Sequence, residues 1–298
     1  MKQAIFLVIS LLILFSCNNS DEAYEPKSVK HVSRIDYRLS DFDFNMASEF
    51  IAYNEDYTLN NIRAVNYEFP HQNKVYETQN LTNIKYNDGF VTEFTTDYHD
   101  SKGEIEKKTV GYTLHENRIT RYNNLSTKEI DYELLFDENK AQPYAKVYFQ
   151  NNGLLMAVEL LEWTDGNLTK MMSYAPDERH LLNADSTSDV IDINDYKNQT
   201  PILTTEIAYD SHPKVATHLE GIGEYLFVPL FSNTVDYFET ENNPIHIKTT
   251  SHVSTSFSLS LDITYDMTYD RDNYPSNATV TLAGLGDEPI SFILKYSY

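Results

Sequence analysis

The chain contains a single cysteine, Cys17, and this residue has the clearest candidate chemistry in the sequence. A thiol can be acylated, bind a soft metal or form a disulfide. Because there is no second cysteine, a disulfide within the chain and a site built from several thiolates are both excluded. An exposed free thiol is a liability, so we expect Cys17 to be consumed by modification.

Three aromatic residues in the middle of the chain form a second candidate site: Trp163, Tyr148 and Tyr174. Flat aromatic faces can stack against sugar rings, and the three together are candidates for a glycan-binding platform. Aromatic residues on strands also pack in cores, and that alternative stays open.

The remaining polar residues do not form a recognisable catalytic or metal-binding motif. The nine histidines include no His-Glu-x-x-His pair, and the sequence has neither a Gly-x-Ser-x-Gly elbow nor a Walker glycine loop. The acidic run from Asp189 to Asp195 departs from the EF-hand pattern and lacks its glycine and terminal glutamate. We therefore predict no catalytic residue, no metal site and no cofactor. A hydrolase that assembles scattered acids is the remaining enzyme alternative.

The charge balance limits the possible partners. The chain has 23 basic and 45 acidic residues, a formal net charge of −22. Such a surface repels nucleic acid and anionic lipid headgroups, so a nucleic-acid partner is not expected.

The first seventeen residues predict processing and membrane attachment. Ala4 to Phe15 is apolar except for Ser10 and follows the basic Lys2. As a helix it would rise only about 18 Å, too little to cross a bilayer, so it indicates a signal peptide.

The segment Leu14-Phe15-Ser16-Cys17 resembles the lipobox of bacterial lipoproteins. The resemblance implies removal of residues 1–16, a lipid such as palmitate on Cys17 and attachment to the outer membrane. Residues 17–30 then form a flexible tether, and its Asp21-Glu22 pair resembles the surface-export signal of Bacteroidetes lipoproteins. A plain solvated linker is the alternative for that pair.

The rest of the chain predicts strands joined by tight turns. The longest pattern is the alternation of apolar and polar residues from Val253 to Tyr269, which indicates one very long strand or two joined by a bend. Pro176 to Thr200 is interpreted as a long loop and Ser211 to Asn233 as an irregular insertion. The predicted strands are Arg63–Phe69, Leu81–Tyr86, Lys108–Leu114, Arg118–Tyr122, Tyr144–Gln150, Leu154–Thr164 (with a short helix over Leu154–Leu161 as alternative), Asn167–Tyr174, Thr204–Tyr209, Ala278–Leu282 and Ile290–Tyr298.

Several turns repeat a tyrosine followed by aspartate, as in Ile207-Ala208-Tyr209-Asp210 and Met267-Thr268-Tyr269-Asp270. In these YD-like hairpins the chain resembles a family of uncharacterised Bacteroidetes lipoproteins with a porin-like, barrel-related sheet. The resemblance implies an all-β fold, and that family has no established activity. We expect one domain over residues 31–298, a large antiparallel meander of long strands that is curled or partly closed, with an irregular insertion.

The alternating aromatic end of the chain, Phe292 to Tyr298, also resembles the last strand of outer-membrane barrels, so a membrane-embedded barrel is an alternative. The apolar face of residues 253–269 must be covered by the chain itself (Gly221 to Phe231 is the candidate), by a partner or by lipid. We predict a lipid-anchored envelope protein acting as a non-catalytic binding or structural module. An accessory surface glycan-binding lipoprotein of a nutrient-uptake system is the second hypothesis. Ligand, orientation and oligomeric state are left open.

Overall fold

The computed structural model describes residues 30–39, 44–68, 74–87, 90–100, 102–138, 140, 142–150, 153–176, 192–213, 240–253, 260–284 and 288–298. Within these residues lie sixteen strands and one helix of a single turn, α1 (Asn194–Lys197), between the eleventh and twelfth strands. The strands are β1 (Arg34–Leu39), β2 (Phe44–Tyr53), β3 (Leu59–Tyr67), β4 (Val75–Asn87), β5 (Phe90–Asp100), β6 (Gly103–His115), β7 (Arg118–Asn124), β8 (Glu129–Phe136), β9 (Pro143–Phe149), β10 (Leu155–Thr164), β11 (Asn167–Tyr174), β12 (Leu203–Pro213), β13 (Asn242–Ser251), β14 (Ser260–Tyr269), β15 (Pro275–Ala283) and β16 (Ile290–Ser297).

The sheet is an antiparallel meander that closes on itself. Each strand pairs with the next in sequence, and β16 pairs with β1, from Arg34 opposite Ser297 to Leu39 opposite Phe292. The backbone N–H of Ser33 extends this seam by donating to the Ser297 carbonyl over 2.8 Å. The predicted all-β meander is confirmed, and the sheet is a complete barrel.

The inner wall of the barrel is mostly apolar. One contiguous cluster of apolar side chains receives members from every strand, and its buried members are at most 8% exposed. In a closed sheet only the enclosed face can gather side chains from all strands in this way, so the cluster marks the interior. One row of the cluster crosses four neighbouring strands in register, through Ile207, Ile247, Ile263 and Leu282.

The outer wall carries the alternate positions, and over β14–β16 most of these are polar. Thr264 pairs with Thr281, which pairs with Ser291, and Asp262 and Asp266 flank this row on β14. Lys295 lies on the same face of β16 and is exposed. Barrels embedded in lipid have the opposite arrangement, with an apolar outer band.

The outer wall carries one apolar patch that the chain itself covers. A second cluster of buried side chains gathers Val147, Val158 and Tyr174 from β9–β11 with Ile193 and Tyr196 of the α1 segment. Tyr196 is fully buried, and its ring packs edge-on against Tyr174 with 5.9 Å between centroids. The α1 segment therefore lies across the outside of three strands as a small additional core.

Turn chemistry explains where strands reverse. Asp165 and Gly166 both adopt positive φ (49° and 73°), as the two-residue turn between β10 and β11 requires. Between β14 and β15, Asp270 accepts hydrogen bonds from the backbone N–H groups of Asp272 and Tyr274 (2.8 and 3.0 Å). The aspartate of this YD-like hairpin thus closes its own turn.

Most strand predictions match in place, with ends shifted by a few residues. Leu155–Thr164 is a strand, so the helical alternative for this stretch is wrong. The alternating pattern ends in β14, and residues 254–259 of that pattern lie outside the described residues. Also outside are the predicted leader, Cys17, the tether as far as residue 29, and Gly221–Phe231. In the part of the chain that the structure describes, no helix is long and apolar enough to cross a bilayer.

Candidate functional site

The three aromatic residues of the predicted glycan platform lie on two different faces of the barrel. Tyr148 and Trp163 pack against the inner cluster, whereas Tyr174 belongs to the covered outer patch. In register Tyr148 lies opposite Ala157, and Trp163 is six positions farther along β10, about 20 Å. The structure does not bring the three side chains together.

Trp163 takes part in a repeated contact at one end of the barrel. Its indole N–H donates to the Pro143 carbonyl over 2.7 Å, which joins the end of β10 to the start of β9. Four tyrosines make the same kind of hydrogen bond. Each lies near or just beyond the end of an even-numbered strand, and its hydroxyl donates to a backbone carbonyl near the start of the preceding strand. They are Tyr53 to Val32 (2.9 Å), Tyr86 to Leu59 (3.0 Å), Tyr209 to Leu168 (2.7 Å) and Tyr298 to Pro275 (2.8 Å).

These contacts give the tyrosine of the YD-like hairpins a structural role. In Tyr209-Asp210 the ring joins two strands, while Asp210 accepts from the backbone N–H groups of His212 (3.0 Å) and Asn243 (3.2 Å). The hydroxyl of Tyr269, the tyrosine of the other pair, also donates to Asp210. The repeated motif therefore organises the barrel rim and carries no evident ligand chemistry.

Tyr148 belongs to a charged network on the inner wall that the sequence analysis missed. The ammonium of Lys146 lies 3.9 Å from the Tyr132 ring centroid and 4.6 Å from that of Tyr148. The Tyr148 hydroxyl donates to Glu159 over 3.1 Å, and Ser173 donates to the other oxygen of the same carboxylate over 2.9 Å. Burial lowers the pKa of Lys146 to about 7, with the Glu159 charge acting in the opposite direction.

A buried carboxyl lies on the inner wall of β2. Glu49 is 3% exposed and accepts a hydrogen bond from the Tyr37 hydroxyl over 3.0 Å. Burial raises the pKa of Glu49 to about 8, and the hydrogen bond from Tyr37 only partly opposes this shift. Glu49 and Lys146 share a sequence signal, since each is a charged residue at a strand position whose i±2 neighbours are apolar or aromatic.

On the outer wall the described residues form a cleft of about 650 Å³ between β9–β11 and the α1 segment. Leu160, Met172 and Tyr174 contribute its apolar base. Tyr144 also lines it, because the β8–β9 pairing shifts by one residue between Leu135 and Phe136 and turns this ring toward the outer patch.

Some polar groups around the cleft already have hydrogen-bond or ion-pair partners, and others have none among the described residues. Asp137 pairs with Lys140, and Asp192 accepts from the backbone N–H of Asn194 over 2.9 Å. By contrast, the Glu162 carboxylate has no hydrogen bond or ion pair among the described residues, although Lys170 is its cross-strand neighbour. The Tyr144 hydroxyl is equally without a described partner.

The histidines do not assemble a metal site within the described residues, where no three potential ligands of a metal ion cluster. His246 contacts Asp262 over 2.9 Å on the outer wall, and the His212 ring stacks on Tyr269 with 3.8 Å between centroids. Both contacts are pairwise and leave no third ligand.

Comparison with known proteins gives limited information. No family model and no curated protein matches the chain. A porin-like protein from Bacteroides uniformis is 11% identical with a TM-score of 0.49, over 90% of this chain and 98% of that one. A porin-like protein from Bacteroides vulgatus is 12% identical with a TM-score of 0.33 over the same shares. Similarity of this degree is too weak to transfer a function, and the barrel assignment rests on the strand register.

Proposed function

We propose that this protein is a lipid-anchored component of the bacterial outer membrane whose barrel stands in water as a non-catalytic binding or structural module. The observation that carries the proposal is the polarity of the barrel, apolar inside and polar outside. The leader and lipobox-like Leu14–Cys17 supply the membrane attachment that the barrel wall itself is unsuited to provide.

The outer wall argues against the embedded alternative on energetic grounds. Asp262, Asp266 and Lys295 would face acyl chains if β14–β16 crossed a bilayer. A lysine at the midplane of a lipid-facing strand costs about 2–4 kcal/mol, and acidic residues add to this cost. The inner wall is filled with buried apolar side chains, which is also unsuited to an aqueous channel.

The attachment is tested by metabolic labelling with a clickable palmitate analogue in a bacterium that processes lipoproteins. We expect label on the wild-type chain, none on Cys17→Ala, and accumulation of the unprocessed chain when globomycin is added. A wild-type chain that takes up no label would refute the lipid anchor.

The aqueous barrel is tested separately by detergent phase separation. We expect the lipidated chain to enter the detergent phase and the unlipidated chain of residues 18–298 to remain in the aqueous phase. If the unlipidated chain also enters detergent, or conducts ions in planar bilayers, the barrel inserts and this part of the proposal fails.

Glycan binding is the second candidate function, and the outer cleft favours it. The cleft places Tyr174 of the predicted platform beside Tyr144 and the Glu162 carboxylate, which has no partner among the described residues. A screen of the purified lipoprotein on a glycan array tests this function. Trp163→Ala is the comparison variant, because the original platform hypothesis expects binding to depend on Trp163.

A further inference from the structure

We infer that the outer cleft between β9–β11 and the α1 segment is a binding site for a short, uncharged oligosaccharide, with Tyr144 as the stacking residue and Glu162 as the hydrogen-bond acceptor. The inference deepens the proposed binding role and depends on it. It assigns the contacts to residues that the platform hypothesis did not include.

The shape of the cleft fits a small ligand. Its volume of about 650 Å³ lies within the range of small-molecule sites, and its base is apolar and aromatic. Tyr144 is half-buried, so a ligand can contact part of its ring. Tyr174 is only 2% exposed, so its ring packs beneath the cleft and offers little surface to a ligand. The stacking role therefore falls to Tyr144.

The unused polar groups decide the chemistry of the ligand. No described residue binds the Glu162 carboxylate, which can accept from hydroxyl donors, and the Tyr144 hydroxyl can donate or accept. The two groups lie in one cleft. Burial is the main cause of the raised pKa of the Tyr174 phenol, and the negative charge of nearby Glu162 raises it further. A ring with an apolar face and several hydroxyl groups matches both features.

Charge selects against acidic sugars. Three carboxylates line the cleft, those of Asp137, Glu162 and Asp192, with one ammonium, that of Lys197; Lys140 beside the cleft offsets Asp137 and leaves a net negative charge. The Lys197 ammonium already donates to the Asn194 side chain over 3.0 Å. An anionic saccharide would meet net repulsion here, so neutral saccharides are the expected class.

The test uses the full lipidated chain in detergent and isothermal titration with neutral tri- and tetrasaccharides from α- and β-glucans and mannans, beside oligogalacturonates as acidic probes. We expect a neutral saccharide to bind, with Tyr144→Ala weakening affinity at least tenfold, and Glu162→Gln and Tyr144→Phe weakening it three- to tenfold. The matched controls are Glu206→Gln, an exposed outer-wall glutamate on β12, and Tyr76→Ala, an exposed tyrosine on β4. Both should bind as the wild type does.

Three results would overturn the inference. In the first, a folded, palmitate-labelled chain binds no neutral saccharide. In the second, the chain prefers oligogalacturonates to neutral saccharides. In the third, Trp163→Ala abolishes saccharide binding whereas Tyr144→Ala leaves it unchanged. Far-ultraviolet circular dichroism and thermal unfolding of each variant separate loss of the site from loss of the fold. Because palmitate labelling is measured on the same preparations, failure of this site is distinguishable from failure of the lipid anchor.

Discussion

Replacement of Glu49 by glutamine is expected to remove a large pH dependence from the stability of the barrel. The carboxyl is buried on the inner wall of β2, and its pKa rises from 4.5 in the unfolded chain to about 8. Between these two values the folded state holds a proton that the unfolded state has released. The stabilising contribution of the neutral carboxyl is therefore complete below about pH 4.5 and is lost as pH rises toward 8.

The magnitude follows from the width of that window. Each pH unit within it costs about 1.4 kcal/mol of unfolding free energy, which gives roughly 3 kcal/mol at pH 7. Glutamine is neutral at every pH and keeps an oxygen that can accept the Tyr37 hydroxyl bond. We expect Glu49→Gln to match the wild type near pH 4.5 and to exceed its stability by roughly 3 kcal/mol at pH 7.

The assay is equilibrium urea unfolding, followed by intrinsic fluorescence, at pH 5, 6, 7 and 8. Other titrating groups cancel in the difference between variant and wild type as long as they do not contact Glu49. Glu206→Gln removes the same charge from an exposed position and should change stability by less than about 0.5 kcal/mol at every pH. A Glu49→Gln difference that stays constant from pH 5 to 8 would refute the reasoning.

Three further outcomes are expected. The pKa of Lys146 is about 7 in the folded state and 10.5 in the unfolded state, so the folded protein loses this proton first as pH rises. The unfolding free energy of the wild type should therefore increase by about 1.4 kcal/mol per pH unit above pH 7. Urea unfolding of Lys146→Met at pH 7 and 9.5 should lack that increase. Tyr209→Phe leaves the Leu168 carbonyl without its donor and should cost about 1–2 kcal/mol in the same assay, whereas an unchanged midpoint, equal to that of Tyr76→Phe, would argue against the rim contact. Tyr196→Ala empties the centre of the outer patch, a loss of about 3–5 kcal/mol, and limited proteolysis should cut near α1 sooner than in the wild type; equal cleavage rates would contradict the packing.

The alternation of residue types predicted the strands well because each strand has one buried face. In β14 the apolar side chains Leu261, Ile263, Tyr265 and Met267 all join the inner cluster, as a period of two requires. Closure was not predictable, because it depends on the pairing of β1 with β16, which are about 260 residues apart. The local sequence of either strand does not specify the other as its partner.

The candidate site was less predictable for a related reason. Tyr174 and Trp163 are both aromatic strand residues, but Trp163 shares the inner face with Leu161, whereas Tyr174 lies three positions beyond the inner Met171 and reaches the outer wall. The sequence could not identify Tyr144 as a ligand-binding residue, because its side chain points outward only as a result of the irregular pairing of β8 with β9. Bulges change the face of a residue without changing its type, so composition and spacing cannot reveal them.

The β1–β16 seam has a consequence for how the chain reaches its folded state. β1 is synthesised long before Ile290–Ser297 exists to pair with it, and until then the growing sheet has two open edges. This last ladder has the highest contact order in the molecule, so closure is expected to come late and slowly. During that interval the apolar inner wall is accessible to other chains, so the open sheet is most prone to aggregation before β16 pairs with β1.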